Sequence, residues 1–191
     1  MSDSHSEQDS RDIARTLEGD LAGFRSLVQR YQAGAFTVAL GIVKDRGLAE
    51  DVLQDAFVRA FKGLRRFRKE AAFASWLHVI VVRQALDAVE RRSRRREISG
   101  PNDPVSTVAA ADADPTQRSD RSHYLRLALG KLNDDERLLL QLFYLNELNL
   151  KEIQRATRFT PAKIRVGLHR GRKNLNAELD RILGEEKTDL L

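Results

Sequence analysis

Two clusters of lysine and arginine are the residues best suited to chemistry in this sequence. The first cluster spans residues 59–69 and contains no acidic residue. Phe67 lies within it, and Phe73 and Trp76 follow it. Cations neutralise phosphates, and aromatic rings stack on unpaired bases at about 1–3 kcal/mol per base. The pattern predicts binding of single-stranded nucleic acid, unless Phe73 and Trp76, on one side of a helix, both belong to the core.

The second basic cluster lies between Arg155 and Lys173, again without an acidic residue. A helix that begins at Pro161 places apolar residues on one face, namely Ile164, Leu168, Gly171 and Leu175. The opposite face carries Lys163, Val166, His169, Arg170 and Lys173, with Arg165 and Arg172 at its edge. A short helix over 150–157 and a turn precede it, which is the helix-turn-helix layout whose second helix enters the major groove. The alternative is a solvated basic helix at the end of a domain.

Catalytic and metal-binding patterns are absent from the sequence. There is no cysteine, and the four histidines (His5, His78, His123 and His169) are scattered. No HExxH, phosphate-binding loop or nucleophile elbow occurs. We therefore predict no catalytic residues, no metal and no cofactor.

The elements that position these residues are predicted to be helices, because glycine is sparse, there are only four prolines and no run alternates with period two. The predicted fold is all-α, with two small helical domains joined by a flexible acidic linker. The predicted domains are a disordered 1–10, a first domain over 11–96, a linker over 97–121, a second domain over 122–185 and a tail over 186–191. The first domain is predicted to contain helices over about 11–18, 20–43, 47–65 and 70–95.

Helix starts in the second domain carry sequence signals. Asn133 followed by Glu136 resembles a capping box, and Thr160-Pro161 supplies a hydroxyl cap before a proline at the first helical position. The segments HYLRLALGKL, DDERLLLQLFYLNEL and LKEIQRA each have helical periodicity. The linker contains three of the four prolines and has no apolar face.

The stretch AEDVLQDAFVRAF combines an apolar face with an acidic stripe that contains Asp51, Gln54 and Asp55. Such a stripe is unexpected in a chain of net charge +5. An acidic helix face is ordinarily solvated, and the residues alone do not choose between solvent and a partner. The N-terminus lacks a signal-peptide apolar run and WLHVIVV is too short to span a bilayer, so we expect a cytoplasmic protein.

Larger segments resemble a known family. AEDVLQDAFVRAF, RRFRKEAAFASWLHVI and LDAVERRSRRR are similar to region 2 of the extracytoplasmic-function (group IV) sigma factors of bacterial RNA polymerase, in the sigma-70 superfamily. LNDDERLLLQLFYLNELNLKEIQRATRFTPAKIRVGLHRGRKNL is similar to their region 4. The resemblance implies a promoter-specificity subunit that aids promoter opening in a stress- or signal-responsive regulon.

The resemblance also implies roles for individual residues. Asp51, Gln54 and Asp55 would face the clamp helices of the largest polymerase subunit, with Val58 extending that surface. Melted −10 DNA, with a flipped base, would meet Arg59, Lys62, Arg65, Arg66, Arg68, Lys69, Glu70, Ala71, Trp76 and Arg83. Duplex −35 DNA would meet Arg158, Thr160, Lys163, Arg165, Val166, His169, Arg170 and Lys173. The implied partners are core RNA polymerase, promoter DNA and an anti-sigma factor, often in the inner membrane, with no small-molecule substrate and no homo-oligomer.

Three positions depart from the family pattern. Arg83 stands where the family usually has Asn, and Arg158 stands where its turn commonly has Gly. Val166-Gly167 replaces a usual Ser-Arg in the recognition helix. A left-handed Arg158 would carry strain of about 1–2 kcal/mol. The promoter sequence is therefore not transferable from the family.

Two other classes of function compete with this interpretation. A stand-alone helix-turn-helix repressor explains the second domain but not the acidic stripe or the basic-aromatic segment, and it would normally dimerise. A helical adaptor without a nucleic-acid role would bind DNA weakly and without specificity. An enzyme is disfavoured by the absence of catalytic motifs.

Overall fold

The computed structural model describes residues 2–67, 71–99 and 120–189, with side chains for 6–67, 71–95 and 123–184. The chain divides into two compact units. In the first unit, α1 is Ser2–Leu17, α2 is Leu21–Val43, α3 is Arg46–Gly63 and α4 is Phe73–Ser99, with a 3-10 turn at Leu64–Arg66. In the second unit, α5 is Asp120–Lys131, α6 is Asp134–Leu140, α7 is Leu150–Thr157 and α8 is Pro161–Asp189, with a π-helical turn at Gln141–Leu145. The described residues are helical in both units, as predicted.

Small side chains let α2, α3 and α4 pack closely around the first core. Alanines on all three helices are buried, among them Ala39, Ala56 and Ala85, each with no exposed surface. Larger apolar residues fill the space between them, namely Leu27, Val52, Leu77 and Val81. Burial of such side chains contributes roughly 1.5–3 kcal/mol each. The core therefore fixes the three helices that carry the basic-aromatic segment and the acidic stripe.

The turn between α2 and α3 is defined by its capping residues. Lys44 takes left-handed geometry at φ 55°, and its backbone N–H donates to the Leu40 carbonyl. Asp45 then caps α3, since its side chain accepts from the Leu48 N–H, and Arg92 of α4 donates to the same carboxylate at 3.1 Å. The Leu48 bond, together with the Arg92 guanidinium, holds the pKa of Asp45 below its usual value.

The N-terminus differs from the prediction. Residues 1–10 were expected to be disordered and the first helix to begin near Arg11, but α1 begins at Ser2. The helix extends ahead of Arg11 because an ion-pair network anchors it to α2, in which Asp9 and Asp12 both pair with Arg30. Sequence periodicity could not reveal this network, because the paired residues are far apart in the chain.

In the second unit, Asn133 starts α6 as predicted and accepts from the Glu136 N–H. The reciprocal half of the expected capping box is not made, since the Glu136 carboxylate accepts from the Asn174 amide instead. A complete capping box occurs at Asn149 and Glu152, which the sequence analysis did not identify. The apolar run after α6 becomes a π-helical turn that ends at Leu145, so the helix expected through NEL stops earlier.

The predicted linker and the predicted C-terminal tail extend beyond the residues that the structure describes. Most of the predicted linker, 100–119, lies outside the described residues, and 97–99 and 120–121 are helical. Helix α8 continues to Asp189, into the segment predicted as a tail, because Glu and Lys there are good helix formers. Within the described ranges, every helix is too short or too polar to cross a bilayer.

Candidate nucleic-acid interface

Helix α7, a tight turn and α8 form the helix-turn-helix predicted in the second unit. Arg158 ends α7 in left-handed geometry at φ 61°, and its N–H donates to the Gln154 carbonyl. Thr157 stabilises the turn, since its hydroxyl donates to the Ile153 carbonyl and accepts from the Phe159 N–H. Thr160 then caps α8 by accepting from the Lys163 N–H at 3.2 Å. The turn therefore sets the start of α8 at Pro161.

Helix α8 separates a buried face from an exposed one. Ile164, Leu168 and Gly171 are buried, which confirms the predicted apolar face, and Leu175 is half-buried. The predicted reading face is exposed, with Lys163, Arg165, Val166, His169, Arg170 and Lys173 all accessible to solvent. Arg158 and Thr160 are exposed beside it. The structure thus brings the predicted −35 residues together on one accessible surface, the reading face.

Lys163 of the reading face is held in place by two neighbouring side chains. Its ammonium lies 2.8 Å from the Asp135 carboxylate and 3.7 Å from the centre of the Phe159 ring. A cavity of about 380 Å³ opens beside it, between the start of α6 and α8. Lys163 is therefore oriented by acidic and aromatic neighbours, a feature that the sequence analysis missed because Asp135 lies on another helix.

Gly167 has a packing reason. A Cβ at this position would meet the Cδ1 atom of Leu139, which is completely buried in α6. Gly171 makes a similar but looser approach to Leu140. The departure from the usual recognition-helix pattern therefore permits a close approach of α6 and α8, where a long side chain would point into Leu139.

In the first unit, an aromatic cluster joins the basic segment to the core. Phe67, Phe73 and Trp76 contact one another, with ring centroids 5.1–5.9 Å apart. Phe73 is only 2% exposed and is a core residue, so it offers no stacking face. Phe67 and Trp76 are half-buried, and a Cβ added at Gly63 would lie 3.4 Å from the Trp76 ring. The core alternative was therefore correct for Phe73, while Phe67 and Trp76 keep partly open rings.

Exposed cations accompany this aromatic cluster in the chain. Arg59, Lys62, Arg65 and Arg66 are exposed, and the last two lie in the 3-10 turn that leads to Phe67. Ala71 is half-buried and Arg83 is exposed on α4. The remaining predicted −10 residues, Arg68, Lys69 and Glu70, lie outside the described residues.

The acidic stripe borders an apolar groove between α2 and α3. Asp51, Gln54 and Asp55 are exposed, and Val58 and Phe61 are 46% and 42% exposed. The groove has a volume of about 470 Å³ and is lined by Phe24, Val28, Gln32, Glu50, Leu53, Gln54, Phe57, Val58 and Phe61. Phe24 packs edge-on against Phe61 at 5.0 Å. The sequence analysis missed the α2 side of this groove, although Phe24 and Val28, one turn apart, were a usable signal.

Among the described residues, no cluster of three or more His, Asp or Glu side chains is arranged to hold a metal ion. The two units instead present exposed cations beside a partly open aromatic cluster and on a helix-turn-helix. Fold and surfaces together define a two-unit, all-α DNA-binding protein.

Two family models match the chain, and together they cover more than half of it. Sigma-70 region 2 matches residues 27–95, and sigma-70 region 4 matches residues 122–175. The chain belongs to the sigma-70 family, as an extracytoplasmic-function sigma factor with regions 2 and 4. Sigma factors are transcription initiation factors rather than enzymes, and they bind core RNA polymerase and promoter DNA.

Individual relatives agree with this assignment. The chain is 27% identical to the RNA polymerase sigma-H factor of Pseudomonas aeruginosa, over 94% of this chain and 97% of the relative. It is 27% identical to the ECF sigma factor SigM of Bacillus subtilis, over 84% and 97%. With SigE of Mycolicibacterium smegmatis it shares 30% identity over 82% of this chain and 63% of the relative.

Two solved structures share the fold. CnrH, solved in complex with the cytosolic domain of CnrY, matches with a TM-score of 0.59 and 22% identity, over 91% of this chain and 98% of CnrH. The sigma factor RpoE of Bartonella quintana, solved with the anti-sigma factor NepR, matches with a TM-score of 0.64 and 18% identity, over 82% and 96%. At these identities the likeness establishes the fold alone.

Proposed function

We propose that this sigma factor divides promoter recognition between its units, as the sequence analysis predicted. The first unit binds core polymerase and melted −10 DNA, and the second reads duplex −35 DNA. The observation that carries the proposal is the exposure of all six predicted reading-face side chains of α8, together with the burial of its opposite face.

Polymerase docking is assigned to the acidic stripe. Asp51, Gln54 and Asp55 supply polar contacts beside the apolar groove, where Val58 and Phe61 expose large apolar surface. A partner surface with an apolar ridge and flanking cations would complement both features. This combination favours a protein partner over mere solvation, because exposed carboxylates alone would not require an adjacent groove.

Promoter melting is assigned to the aromatic cluster and the cations around it. Strand separation costs stacking energy, which a pocket for an extruded base compensates. Phe67 and Trp76 offer partly open rings, and Arg65 and Arg66 provide charge for the phosphate backbone. Arg68, Lys69 and Glu70 belong to this assignment through the family resemblance alone.

Readout of the −35 element is assigned to the reading face of α8. Arg165 and Arg170 can donate paired hydrogen bonds to guanine in the major groove, and Val166 can contact a thymine methyl. Lys163, His169 and Lys173 lie on the same surface and suit phosphate contacts. Because Val166 replaces a hydroxyl side chain of the family pattern, the preferred −35 sequence is expected to differ from the common one.

An anti-sigma factor is the proposed regulator. Both structural neighbours were solved in complexes, CnrH with a domain of CnrY and RpoE with the anti-sigma factor NepR. We place the protein in the cytoplasm, and at the inner membrane when such an inhibitor is anchored there. Its inducing signal follows from that partner and not from this chain.

Transcription by sigma-free core polymerase tests the proposal. Fragmented genomic DNA is transcribed with and without the protein, and the 5′ ends of the transcripts are sequenced. We expect new discrete start sites that share two spaced upstream elements. Binding to core without new start sites would refute promoter reading, and no binding to core would favour a stand-alone regulator, which gel filtration would then show as a dimer.

A further inference from the structure

Helix α1 lies outside the region 2 match, which begins at residue 27, yet it is tied firmly to that region. Arg30 of α2 donates to Asp9 at 2.5 Å and to Asp12 at 2.6 Å. The two carboxylate side chains are 8% exposed and the guanidinium side chain is 15% exposed. Removal of one partner from a pair buried to this degree strongly destabilises the folded protein, because it leaves the other charge buried without an opposite charge beside it.

The same network fixes Tyr31. Its hydroxyl donates to the second oxygen of Asp9 at 2.6 Å, and Arg30 lies 5.9 Å from the centre of its ring. Burial raises the pKa of Tyr31, and the nearby Asp9 carboxylate raises this pKa further, so the hydroxyl remains a proton donor at all physiological pH values. The polar end of the ring is therefore held from α1.

Backbone contact keeps α1 in place. Gly23 of α2 is buried, and a Cβ there would meet the Asp12 carbonyl oxygen and the Thr16 hydroxyl of α1. The Thr16 hydroxyl itself donates to that carbonyl at 2.7 Å. The two helices thus touch at Gly23, and the ion pairs bind them about two turns further along α2, at Arg30.

The Tyr31 ring also contacts the aromatic cluster. Its centroid lies 5.4 Å from that of Phe73, and Phe73 in turn contacts Phe67 and Trp76. A continuous series of contacts therefore joins Asp9 on α1 to the two half-buried rings beside the basic segment. Packed rings transmit a displacement, because interiors have few voids to absorb it.

We infer that α1 is a positioning element for promoter melting, in which Asp9, Asp12 and Arg30 orient Tyr31 and, through Phe73, set the rings of Phe67 and Trp76. The inference rests on the proposed −10 role of those two rings. None of the α1 residues touches DNA in this scheme. They act by presenting the rings in one arrangement to an extruded base, which reduces the ordering that binding must impose.

The test uses the fluorescence of Trp76, which is the single tryptophan of the protein. Tyr31→Phe keeps the ring and removes its bond to Asp9, and Arg30→Gln removes both ion pairs. We expect a shifted emission maximum and greater quenching by acrylamide in both variants, at temperatures where circular dichroism shows the native helix content. Arg11→Gln is the matched control, since Arg11 also lies on α1 but is exposed and takes no part in the network of Asp9, Asp12 and Arg30.

The second measurement is affinity of the holoenzyme for a single-stranded oligonucleotide that carries the −10 element found by start-site mapping. We expect Tyr31→Phe to weaken this affinity by about three- to tenfold, a fraction of the energy of one stacked base. Affinity for core polymerase and for duplex −35 DNA should equal that of the unaltered protein. Arg11→Gln should match the unaltered protein in every measurement.

Each outcome has a distinct meaning. Unaltered Trp76 quenching in folded Arg30→Gln and Tyr31→Phe would overturn the coupling, whatever the protein does with DNA. Altered quenching with undiminished affinity for the −10 strand would overturn the role in melting. If the unaltered holoenzyme fails to bind the −10 strand, the proposed function itself fails, and the fluorescence result still decides the coupling.

Discussion

The two units present their proposed DNA-binding residues on different kinds of support. In the first unit, Phe67 and Trp76 are half-buried and lean on the core residue Phe73. In the second unit, the reading face of α8 is exposed, while the buried Ile164 and Leu168 hold the helix from behind. The rings proposed to bind −10 DNA therefore also pack on the core of the first unit, whereas the side chains proposed to bind −35 DNA do not contribute to the core of the second. Substitutions can be chosen to break that distinction.

The largest expected effect is on stability at two close helix contacts. Gly23→Ala places a Cβ against a backbone carbonyl, which cannot rotate away, and we expect a loss of about 2–3 kcal/mol in the free energy of unfolding of the first unit. Gly167→Ala meets the end of the Leu139 side chain, which can adjust, and should cost about 1 kcal/mol in the second unit. Denaturant titration followed by Trp76 fluorescence and by circular dichroism separates the two units.

Gly34→Ala is the control for that comparison, because no atom lies near a Cβ built on this exposed helical glycine. It should stabilise the first unit by roughly 0.5–1 kcal/mol through helix propensity. Equal losses for Gly23→Ala and Gly167→Ala would show that the α1 contact is no more rigid than the core of the second unit.

The next effect concerns polymerase docking. Asp55→Lys reverses a charge in the acidic stripe, and we expect affinity for core polymerase to fall by about tenfold without a change in thermal stability, since Asp55 is exposed. Fluorescence anisotropy with labelled protein measures it. Glu18→Lys makes the same charge change at an exposed position far along the chain from the stripe. A similar loss for both variants would point to general electrostatics in place of a docking surface.

A smaller effect is expected at two left-handed helix ends, one in each unit. Lys44 and Arg158 both have positive φ, at 55° and 61°. Replacement of either by Gly should relieve about 1 kcal/mol of strain, seen as a higher unfolding temperature. Arg158→Gly should in addition weaken −35 binding and lower its salt dependence, whereas Lys44→Gly should leave DNA binding unchanged. Identical DNA binding by both variants would remove Arg158 from the interface.

The smallest effect is a dependence of stability on pH in the first unit. The pKa of Asp45 is depressed in the folded protein, so its stabilisation is present above the ordinary value of 3.8 and is lost as pH falls through the folded value. Asp45→Asn keeps the helix cap but has no charge. The difference in unfolding free energy between the two proteins, a few tenths of a kcal/mol for a cap charge, should be constant near neutral pH and vanish in acid. A difference that persists in acid would assign it to the cap alone.

The sequence predicted features that depend on neighbouring residues. The periodicity of α8 and the Thr160 cap were both predictable, because each is determined within one or two turns of the chain. The amphipathic pattern also predicted which α8 side chains are exposed. Family resemblance, rather than periodicity, supplied the partners.

Features that depend on distant pairs were not predictable. The extension of α1 ahead of Arg11 depends on Asp9 and Asp12 meeting Arg30. The orientation of Lys163 depends on Asp135, and the reason for Gly167 is Leu139. Glu136 could not be assigned correctly either, since its partner Asn174 competes with the local capping bond. In each case tertiary packing selects among local choices that the sequence leaves equivalent.

The central claim is that the two units read separate promoter elements. Promoters are selected from a randomised library by holoenzyme that contains either the unaltered protein or Arg165→Ala, and the selected sequences are aligned on their start sites. We expect promoters selected by the Arg165→Ala holoenzyme to show no base preference in the upstream element. The downstream element should keep its preference at every position. Loss of preference in both elements, or in the downstream element alone, would contradict the division of promoter reading between the units.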